Sequence, residues 1–484
     1  MLSRMARKGA PAISSQQAGP RSADNPEAIS SAVRRAASVF LAALSLTWPA
    51  IYNGYPLLYP DSMTYVGDGP PLARALFLHQ ASDYYGMRSF IYSLGILPFH
   101  WNFTPWPVVA LQAFLTAFTL WLVVRSVAPR ARWSYVTLVG VLSLLTSVGW
   151  SASLIMPDIL GASLYLCIYL LIFARETLSR GEHWAAVLIA GWSAASHITH
   201  WVLGVSLCIF VGLLAAVWRR LLRGRWKGVA EVAGVFLAVA LVQMGLNLYL
   251  LGEASLTGEQ PPFLMARVIA DGPGRWYLER HCGREPKFAL CAYAHNLPDD
   301  ADEFLWGKNS IWATAPAETA KQIRAEERTF VWAVLRAYPG AELACALRAA
   351  WRQMFAYGLW DLEGNDWLVS QFDQTLTPGR SRYLSSREAR TVLPYEFLET
   401  VFSWTLLASL AAIVALTLLL WRKVSPRVAG LGVAIGFAVV ANAFVTGAVS
   451  TVEDRYEARV IWLVPFLAGV LFLAWLNRRT EIRR

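Results

Sequence analysis

The sequence predicts an all-α protein that crosses a membrane many times. Hydrophobic residues make up 56% of its 484 residues and charged residues only 16%, whereas an ordinary soluble domain is about one-quarter charged. The chain also contains 22 Trp residues, more than a soluble domain usually holds. Its apolar residues gather in long runs, and a helix needs a run of roughly 20 to span a bilayer. These observations favour a polytopic membrane protein.

About ten runs have the length and apolarity of a spanning helix. They cover residues 33–52, 106–127, 134–151, 157–174, 184–200, 202–218, 229–251, 398–420, 428–449 and 457–476. A further apolar segment, from Arg88 to Trp101, is short for a span and contains Pro98. We predict that this segment forms a helix lying on, or dipping into, the membrane surface.

Lys and Arg residues recur in alternate connections between the predicted spans. They include Arg34-Arg35, Arg130 with Arg132, Arg175 with Arg180, Arg219-Arg220, Arg422-Lys423 and Arg478-Arg479. Because cytoplasmic loops are enriched in these residues, the pattern predicts that both termini face the cytoplasm. The net charge of +10 then follows from topology, and nothing indicates binding to nucleic acid.

The predicted spans divide the chain into four parts. Residues 1–31 are rich in Ala, Ser, Gln, Gly and Pro, a composition that predicts a disordered cytoplasmic tail. Residues 32–251 form an N-terminal transmembrane module whose first external loop is 53–105. Residues 252–397 form an external, mostly helical insert, with a helix expected at 317–338, and residues 398–484 form a C-terminal transmembrane module.

The predicted insert contains Cys282 and Cys291. A disulfide between them suits an oxidising exterior compartment, although two nearby cysteines can also stay reduced. Cys167 and Cys208 fall inside predicted spans and are expected to be core residues. The aromatic segment 351–367 has two open interpretations, which are contact with the bilayer interface and packing within a small external subdomain.

Asp61 is the most informative single residue. It lies in the run Tyr59-Pro60-Asp61-Ser62-Met63-Thr64-Tyr65, just beyond the first predicted span. A carboxylate beside a membrane helix is costly and is often functional. Asp158 follows Met156-Pro157 at the start of another predicted span, on the same predicted face. A Pro-Asp pair also suits the first turn of a helix, so both a structural and a functional role are open for Asp158.

A pair of histidines falls at a predicted external helix junction. His197 and His200 are three residues apart and can share one helical face. They could chelate a divalent metal together with nearby carboxylates, or form a polar network that contacts substrate. No cysteine spacing resembles a structural zinc site.

The last external hairpin is crowded with charge, in the run Glu453-Asp454-Arg455-Tyr456-Glu457-Ala458-Arg459. Arg455 and Arg459 are four apart and would point the same way on a helix. This fork suits a phosphate or diphosphate group. The alternative is that the two arginines pair locally with Glu453, Asp454 and Glu457.

Four elements together resemble the GT-C superfamily of glycosyltransferases, integral membrane enzymes that include protein mannosyltransferases and the aminoarabinose transferases of lipid A. The elements are Tyr59-Pro60-Asp61 after the first span, the surface-helix segment of the first external loop, Met156-Pro157-Asp158 after the third span, and Asp454-Arg455-Tyr456 before the last. The similarity covers the layout of most of the chain, while each motif is short.

The resemblance implies a GT-C-like fold in a bacterial inner (plasma) membrane. It implies a sugar donor carried on a polyprenyl phosphate and a lipid, glycan or protein acceptor approaching from the periplasm. It also implies an external-loop Asp as base, for which Asp61 is the candidate with Asp158 beside it, in one displacement that inverts the anomeric carbon. Arg455, Arg459 and Arg88 are candidates to neutralise the departing phosphate, and Tyr65 and Tyr456 are further candidate substrate contacts.

The chain departs from that family in two respects, and two other functions stay open. Ser62 follows Asp61 where some members have paired acidic residues, so a second acidic role would fall to Asp68, Asp83 or Asp158. The soluble part is an insert instead of a C-terminal domain. A transporter or lipid flippase would spread ionisable groups through the middle of the membrane. A non-catalytic envelope assembly protein would use Asp61 and Arg455 only as a structural pair.

Overall fold

Long apolar runs become helices because a helix satisfies every backbone hydrogen bond within its own segment. A computed structural model of the chain describes residues 26–80, 84, 86–129, 132–218, 223–283, 288–420 and 424–482. Within these ranges we number the α-helices in chain order. They are α1 (Pro26–Leu46), α2 (Trp48–Asn53), α3 (Pro60–Leu78), α4 (Phe90–His100), α5 (Trp106–Val127), α6 (Arg132–Leu145), α7 (Val148–Ser153), α8 (Asp158–Phe173), α9 (Arg180–Ser196), α10 (Ile198–Val217), α11 (Trp226–Leu251), α12 (Phe263–Ala270), α13 (Pro273–His281), α14 (Ala301–Trp306), α15 (Ile311–Thr314), α16 (Ala317–Ala337), α17 (Pro339–Gln353), α18 (Asp366–Gln371), α19 (Arg380–Leu384), α20 (Tyr395–Leu420), α21 (Pro426–Val449), α22 (Arg455–Ile461) and α23 (Leu463–Ile482).

Seven helical segments of the described chain are long and apolar enough to cross a membrane. They are Ala32–Asn53, Trp106–Val127, Ile198–Val217, Trp226–Leu251, Tyr395–Leu420, Pro426–Val449 and Arg455–Arg479. A multi-pass, all-helical protein is therefore supported. Helices α16 and α17 are long and apolar enough to cross a membrane only when they are taken together, and the chain bends by 104° between them.

The count of about ten spans is not confirmed, because three predicted spans contain shorter helices. The stretch 134–151 breaks between α6, with 14 residues, and α7. The stretch 157–174 contains α8, with 16 residues, and the stretch 184–200 covers most of α9, with 17, and the start of α10. Every residue of α8 is buried, so its uniformly apolar sequence reflects packing among other helices. An apolar run alone does not distinguish that environment from lipid.

Polar residues lie near both ends of the long helices, in two separate groups. At one end, Arg125 pairs with Glu182 at 2.6 Å and Arg427 with Glu176 at 2.9 Å. At the other end of α8 and α21 lie Asp158 and Asn442. Which end faces the cytoplasm stays a prediction. Of the basic residues used for it, Arg130, Arg219-Arg220 and Arg422-Lys423 lie outside the described residues, as does Asp83.

The N-terminal tail and the first external loop contain more helix than predicted. Residues 1–25 lie outside the described part of the chain, but residues 26–31 already belong to α1. The loop 53–105 holds α3 and α4, which pack against each other. Tyr92, Ser93 and Ile96 of α4 are fully buried, so the predicted surface helix is integrated into the protein on one face.

The predicted insert 252–397 comprises two packing units. Residues between Met265 and Val334 form a hydrophobic cluster of their own, and Cys282 and Cys291 next to it are joined by a disulfide with a Cα–Cα distance of 5.3 Å. Helix α16 lies where a helix was predicted. From Tyr357 to Tyr395, in contrast, the buried apolar side chains join the main core with the long helices.

This division corrects one interpretation of the aromatic segment 351–367. Tyr357 is buried in the main core, while Trp351, Phe355, Trp360 and Trp367 are exposed. These aromatics therefore do not pack a separate external subdomain. Contact with the bilayer stays a prediction. Cys167 is buried and Cys208 packs against the main core, as expected.

The short segment before α3 is fastened on both sides. Leu57 forms an isolated parallel β-bridge with Leu154, in which its N–H donates to Ser153 O and its carbonyl accepts from Ile155 N, both at 3.0 Å. On the other side the next N–H, that of Leu58, donates to the fully buried carboxylate of Glu388 at 3.0 Å. Residues of the insert therefore position the chain that leads into α3.

Glu388 and Asn53 complete this fastening through reciprocal hydrogen bonds. The Asn53 side-chain N–H donates to Glu388 Oε2 at 3.2 Å, and Glu388 N donates to Asn53 Oδ1 at 2.8 Å. Burial raises the pKa of Glu388 well above its usual range, while the donors Leu58 N and Asn53 oppose that shift. The side chain is therefore surrounded by hydrogen-bond donors in a dry environment.

We expect that Glu388→Ala destabilises the protein, because it leaves two buried donors unpaired at about 1–3 kcal/mol each. Glu388→Gln should also destabilise it, since its NH2 group must face Leu58 N or the Asn53 side-chain amide. Thermal unfolding in detergent measures both effects, with the exposed Glu396→Gln as control. A Gln variant as stable as the wild type would show that Glu388 is not an obligatory acceptor.

Candidate functional site

Two Pro-Asp helix starts lie side by side. Leu57 and Leu154 pair in the parallel bridge, and each is followed three residues later by Pro and four residues later by Asp. Pro60-Asp61 opens α3 and Pro157-Asp158 lies at the start of α8. Pro in the first turn and a carboxylate beside the free N–H groups both favour a helix start. The bridge therefore brings two carboxylates to the same end of the helix bundle.

Asp61 lies between two guanidinium groups from different elements. Arg88 Nη2 approaches Asp61 Oδ1 at 2.5 Å, and Arg455 Nη1 lies 3.8 Å from Asp61 Oδ2. The three side chains are 14%, 17% and 13% exposed for Asp61, Arg88 and Arg455. This group is thus mostly enclosed but still reaches solvent, which a site for a small polar ligand requires.

Arg455 is held mainly by aromatic rings, so its N–H donors are only partly used. Its guanidinium lies 3.9 Å from the Tyr59 ring and 4.6 Å from the Tyr456 ring. Nη2 donates to the Tyr456 hydroxyl at 3.1 Å, whereas Nε has no hydrogen-bond partner among the described residues. Guanidinium groups bind phosphate and carboxylate well. Arg455 is therefore the best placed of the three arginines to receive an incoming anion.

Arg459 is in a different situation, because its donors are occupied. Nη1 pairs with Asp158 Oδ1 at 3.2 Å, Nη2 donates to Asn442 Oδ1 at 2.9 Å, and Nη2 also reaches Thr199 Oγ1 at 3.4 Å. The Arg459 and Asp158 side chains are only 1% and 5% exposed. Because a buried ion pair is costly to break, these contacts mainly hold α8, α21 and α22 together.

His197 and His200 have mostly local roles in the structure. His197 Nδ1 accepts from Thr199 N at 3.2 Å and lies 2.7 Å from Thr199 Oγ1, so it caps the start of α10. His200 Nδ1 lies 3.1 Å from the Ser193 carbonyl and must donate to it. The rings are 5.4 Å apart. Among the described residues no three His, Cys, Asp or Glu side chains form a group that could hold a metal.

The two tyrosines lie at different depths. Tyr65 is buried and packs edge-on against Tyr92, with 4.9 Å between ring centroids. Tyr456 lies beneath both arginines of the hairpin, with its ring 4.6 Å from the Arg455 guanidinium and 5.4 Å from that of Arg459. Tyr456 is thus part of the cation-binding platform, while Tyr65 supports the wall behind Asp61.

A narrow cleft lies beside this cluster, with a cavity volume of about 20 Å³, which is room for about one water molecule. Its walls include Trp150, Asp158, Gly358, Asp361, Arg455 and Ala458. Asp361 was not a sequence candidate, because the segment around it was interpreted only through its aromatics. Its Oδ2 accepts from Arg455 N at 2.8 Å, so a residue of the insert fixes the start of α22.

The acidic residues near Asp361 perturb one another. Burial and the neighbouring Asp361 carboxyl raise the pKa of Glu453 to about 8, although Arg455 opposes the shift. Burial and Asp361 also raise the pKa of Asp454 to about 6. The nearby Asp302 carboxyl, which belongs to the insert, also raises the pKa of Glu453. Burial raises the pKa of Asp302 itself, while Arg455 lowers it. Elsewhere, burial raises the pKa of Asp68 in α3 to about 7 against the influence of Arg88.

Comparisons with models of protein families, with curated proteins and with solved structures give no match for this chain.

We expect stability to decrease as pH rises from about 4.5 to about 8. The pKa of Glu453 is near 4.5 in the unfolded chain and near 8 in the folded protein, so over this range the folded state holds a proton that the unfolded state releases. Thermal unfolding as a function of pH measures the effect. Glu453→Gln should flatten the profile, and an unchanged profile would show that other groups control it.

Proposed function

We propose that this chain is a membrane glycosyltransferase of GT-C type that transfers a sugar from a polyprenyl-phosphate donor to an envelope lipid, glycan or protein. The observation that supports it best is the pairing of a partly exposed carboxylate, Asp61, with the incompletely paired guanidinium of Arg455 at 3.8 Å. Transfer from a lipid phosphate needs a base for the acceptor and a cation for the leaving group. Here Arg455 lines the cleft, and Asp61 lies beside Arg455.

The proposed reaction is a single displacement. An oxygen lone pair of the acceptor hydroxyl forms a bond to the anomeric carbon while its proton passes to the Asp61 carboxylate. The bond between that carbon and the phosphate oxygen breaks, and its electron pair leaves with the polyprenyl phosphate. Attack opposite to the leaving group inverts the anomeric configuration. General-base assistance of this type typically contributes about 10²–10⁴-fold.

The surrounding residues would serve this step in distinct ways. Arg88, at 2.5 Å from Asp61, would fix the direction of the carboxylate, while Arg455 would stabilise the charge developing on the phosphate. Asp158 and Arg459 are buried as a pair and would act by holding α22, which carries Arg455 and Tyr456. No step requires a metal ion, so the divalent metal considered for His197 and His200 has no assigned role.

The distribution of ionisable residues favours this proposal over transport. In each of the seven candidate spans the Asp, Glu, Lys, Arg and His residues lie within the first or last two turns. A transporter that binds ions at mid-membrane is expected to place polar groups there. The described ionisable groups instead gather at the helix ends, and those around the cleft share a single end.

The first expectation concerns Asp61. Asp61→Asn removes the proposed base at nearly constant shape, so transfer should fall by at least about 10²-fold while protein level and membrane insertion stay unchanged. Mass spectrometry of envelope lipids and glycans, comparing a deletion strain complemented by wild type or by the variant, would report acceptor and sugar together. Asp373→Asn, at a carboxylate that is 70% exposed and does not line the cleft, is the matched control and should retain activity; full activity of Asp61→Asn would remove the base assignment.

The second expectation separates the two arginines of the hairpin. Arg455→Ala should weaken binding of a polyprenyl-phosphate sugar roughly 10- to 100-fold, because a charge-assisted hydrogen bond contributes about 1.5–3 kcal/mol, with little change in the unfolding temperature. Arg459→Ala should instead destabilise the fold by about 3–5 kcal/mol, since it leaves Asp158 buried without a partner. Titration with the donor and thermal unfolding measure both variants, and an unchanged donor affinity in Arg455→Ala would contradict the role of Arg455.

A further inference from the structure

Helix α17 presents an apolar face that no described residue covers. Leu343, Leu347 and Trp351 recur at intervals of four and are 57%, 53% and 68% exposed, and this spacing places them on one side of the helix. Phe355 continues the row beyond the helix end, with its ring 5.0 Å from that of Trp351. We call Leu343, Leu347, Trp351 and Phe355 the α17 stripe.

The opposite face of α17 packs along α21, one of the candidate membrane spans. The two helices approach closely at Gly447, where an added Cβ would lie 2.8 Å from the Ala349 carbonyl oxygen. Gln353, at the end of α17, donates to the Glu453 carbonyl at 2.7 Å. Contacts at 349 with 447 and at 353 with 453 mean that α17 runs in the same direction as α21, beside its last turns.

The outer surface of α21 is exposed and apolar, like the α17 stripe. On that span Val440, Phe444 and Val449 are exposed, as expected for residues that face lipid. The chain reaches α17 through a sharp bend, because α16 and α17 meet at 104°. Helix α16 is largely charged and polar outside its contacts with the insert cluster, whereas α17 is not.

Charge on α17 is arranged for a membrane surface. Arg348 and Arg352 are exposed beside the stripe, and the helix's one acidic residue, Glu342, is buried. Long basic side chains on an apolar helix face can extend their charged ends to lipid phosphates while their stems stay in the apolar layer.

We propose that α17 is a lipid-facing helix alongside the last turns of the α21 span, with the α17 stripe in contact with lipid acyl chains on the side of the membrane where the candidate site lies. Gly358 and Asp361, which line the cleft, lie only five and eight residues beyond the end of α17. The insert is thus attached to the bilayer at the point where it meets the candidate site. This inference does not depend on any catalytic activity.

Spin labels in the full chain, reconstituted in phospholipid vesicles, test it. The free cysteines Cys167, Cys208 and Cys345 are replaced by Ala, the disulfide is kept, and single cysteines are introduced as Leu343→Cys, Leu347→Cys or Trp351→Cys. Labels at these positions should collide several-fold more often with oxygen, which enters the bilayer, than with a water-soluble nickel complex. Labels at the exposed positions Glu318 and Lys321 of α16 are the matched controls and should show the reverse.

Two results would overturn the proposal. Nickel accessibility at position 347 equal to that at position 321 would place the stripe in water. Low accessibility to both reagents at all three stripe positions would mean that a protein surface, including a second copy of this chain, covers it. Monodisperse elution of each labelled protein with an intact disulfide excludes misfolding. The three stripe positions are labelled one at a time, so they are independent measurements that should agree.

Discussion

The parallel bridge between Leu57 and Leu154 is the constraint on which the candidate site depends. It consists of only two backbone hydrogen bonds, each 3.0 Å long, yet it aligns two chains that each turn into a helix through Pro and Asp. It pairs the segments that lead into α3 and α8 at this end. Asp61 and Asp158 each lie four residues beyond one of the two bridged leucines. Helix α22 places Arg455 beside Asp61 and Arg459 beside Asp158.

The two pairs built on this bridge differ because their burial differs. Asp158 and Arg459 are enclosed, and Asn442 and Thr199 satisfy the remaining donors. A buried hydrogen-bond network in which the guanidinium donors are paired rigidifies its surroundings. Asp61 and Arg455 are more open, their separation is longer, and Tyr59 and Tyr456 replace polar partners. One pair therefore suits the support of a site and the other suits the binding of a ligand.

Much of this arrangement could be predicted from sequence, and the failures have definite causes. The seven candidate spans and the residues of the polar cluster carry local signals, namely long apolar runs and costly charges beside them. The bridge itself was not predicted, because the pattern Leu-x-x-Pro-Asp shared by Leu57 to Asp61 and Leu154 to Asp158 does not indicate that the two segments pair. The burial of α8 could not be predicted, because an apolar helix has the same composition in lipid and in protein. Asp361 and Glu388 could not be found either, since their importance comes from contacts with residues about 94 and 330 positions away.

Those two distant contacts change how the insert relates to the candidate site. The second half of the insert returns to the helix bundle twice, at Asp361 against Arg455 N and at Glu388 against Leu58 N. One contact fixes the helix that carries the cation, and the other fixes the segment that leads to the carboxylate. A segment that contacts both partners controls their separation, which is the quantity that decides whether a ligand fits between them. The insert is therefore a structural part of the cleft, to whose walls it contributes Gly358, Leu359, Asp361 and Leu362.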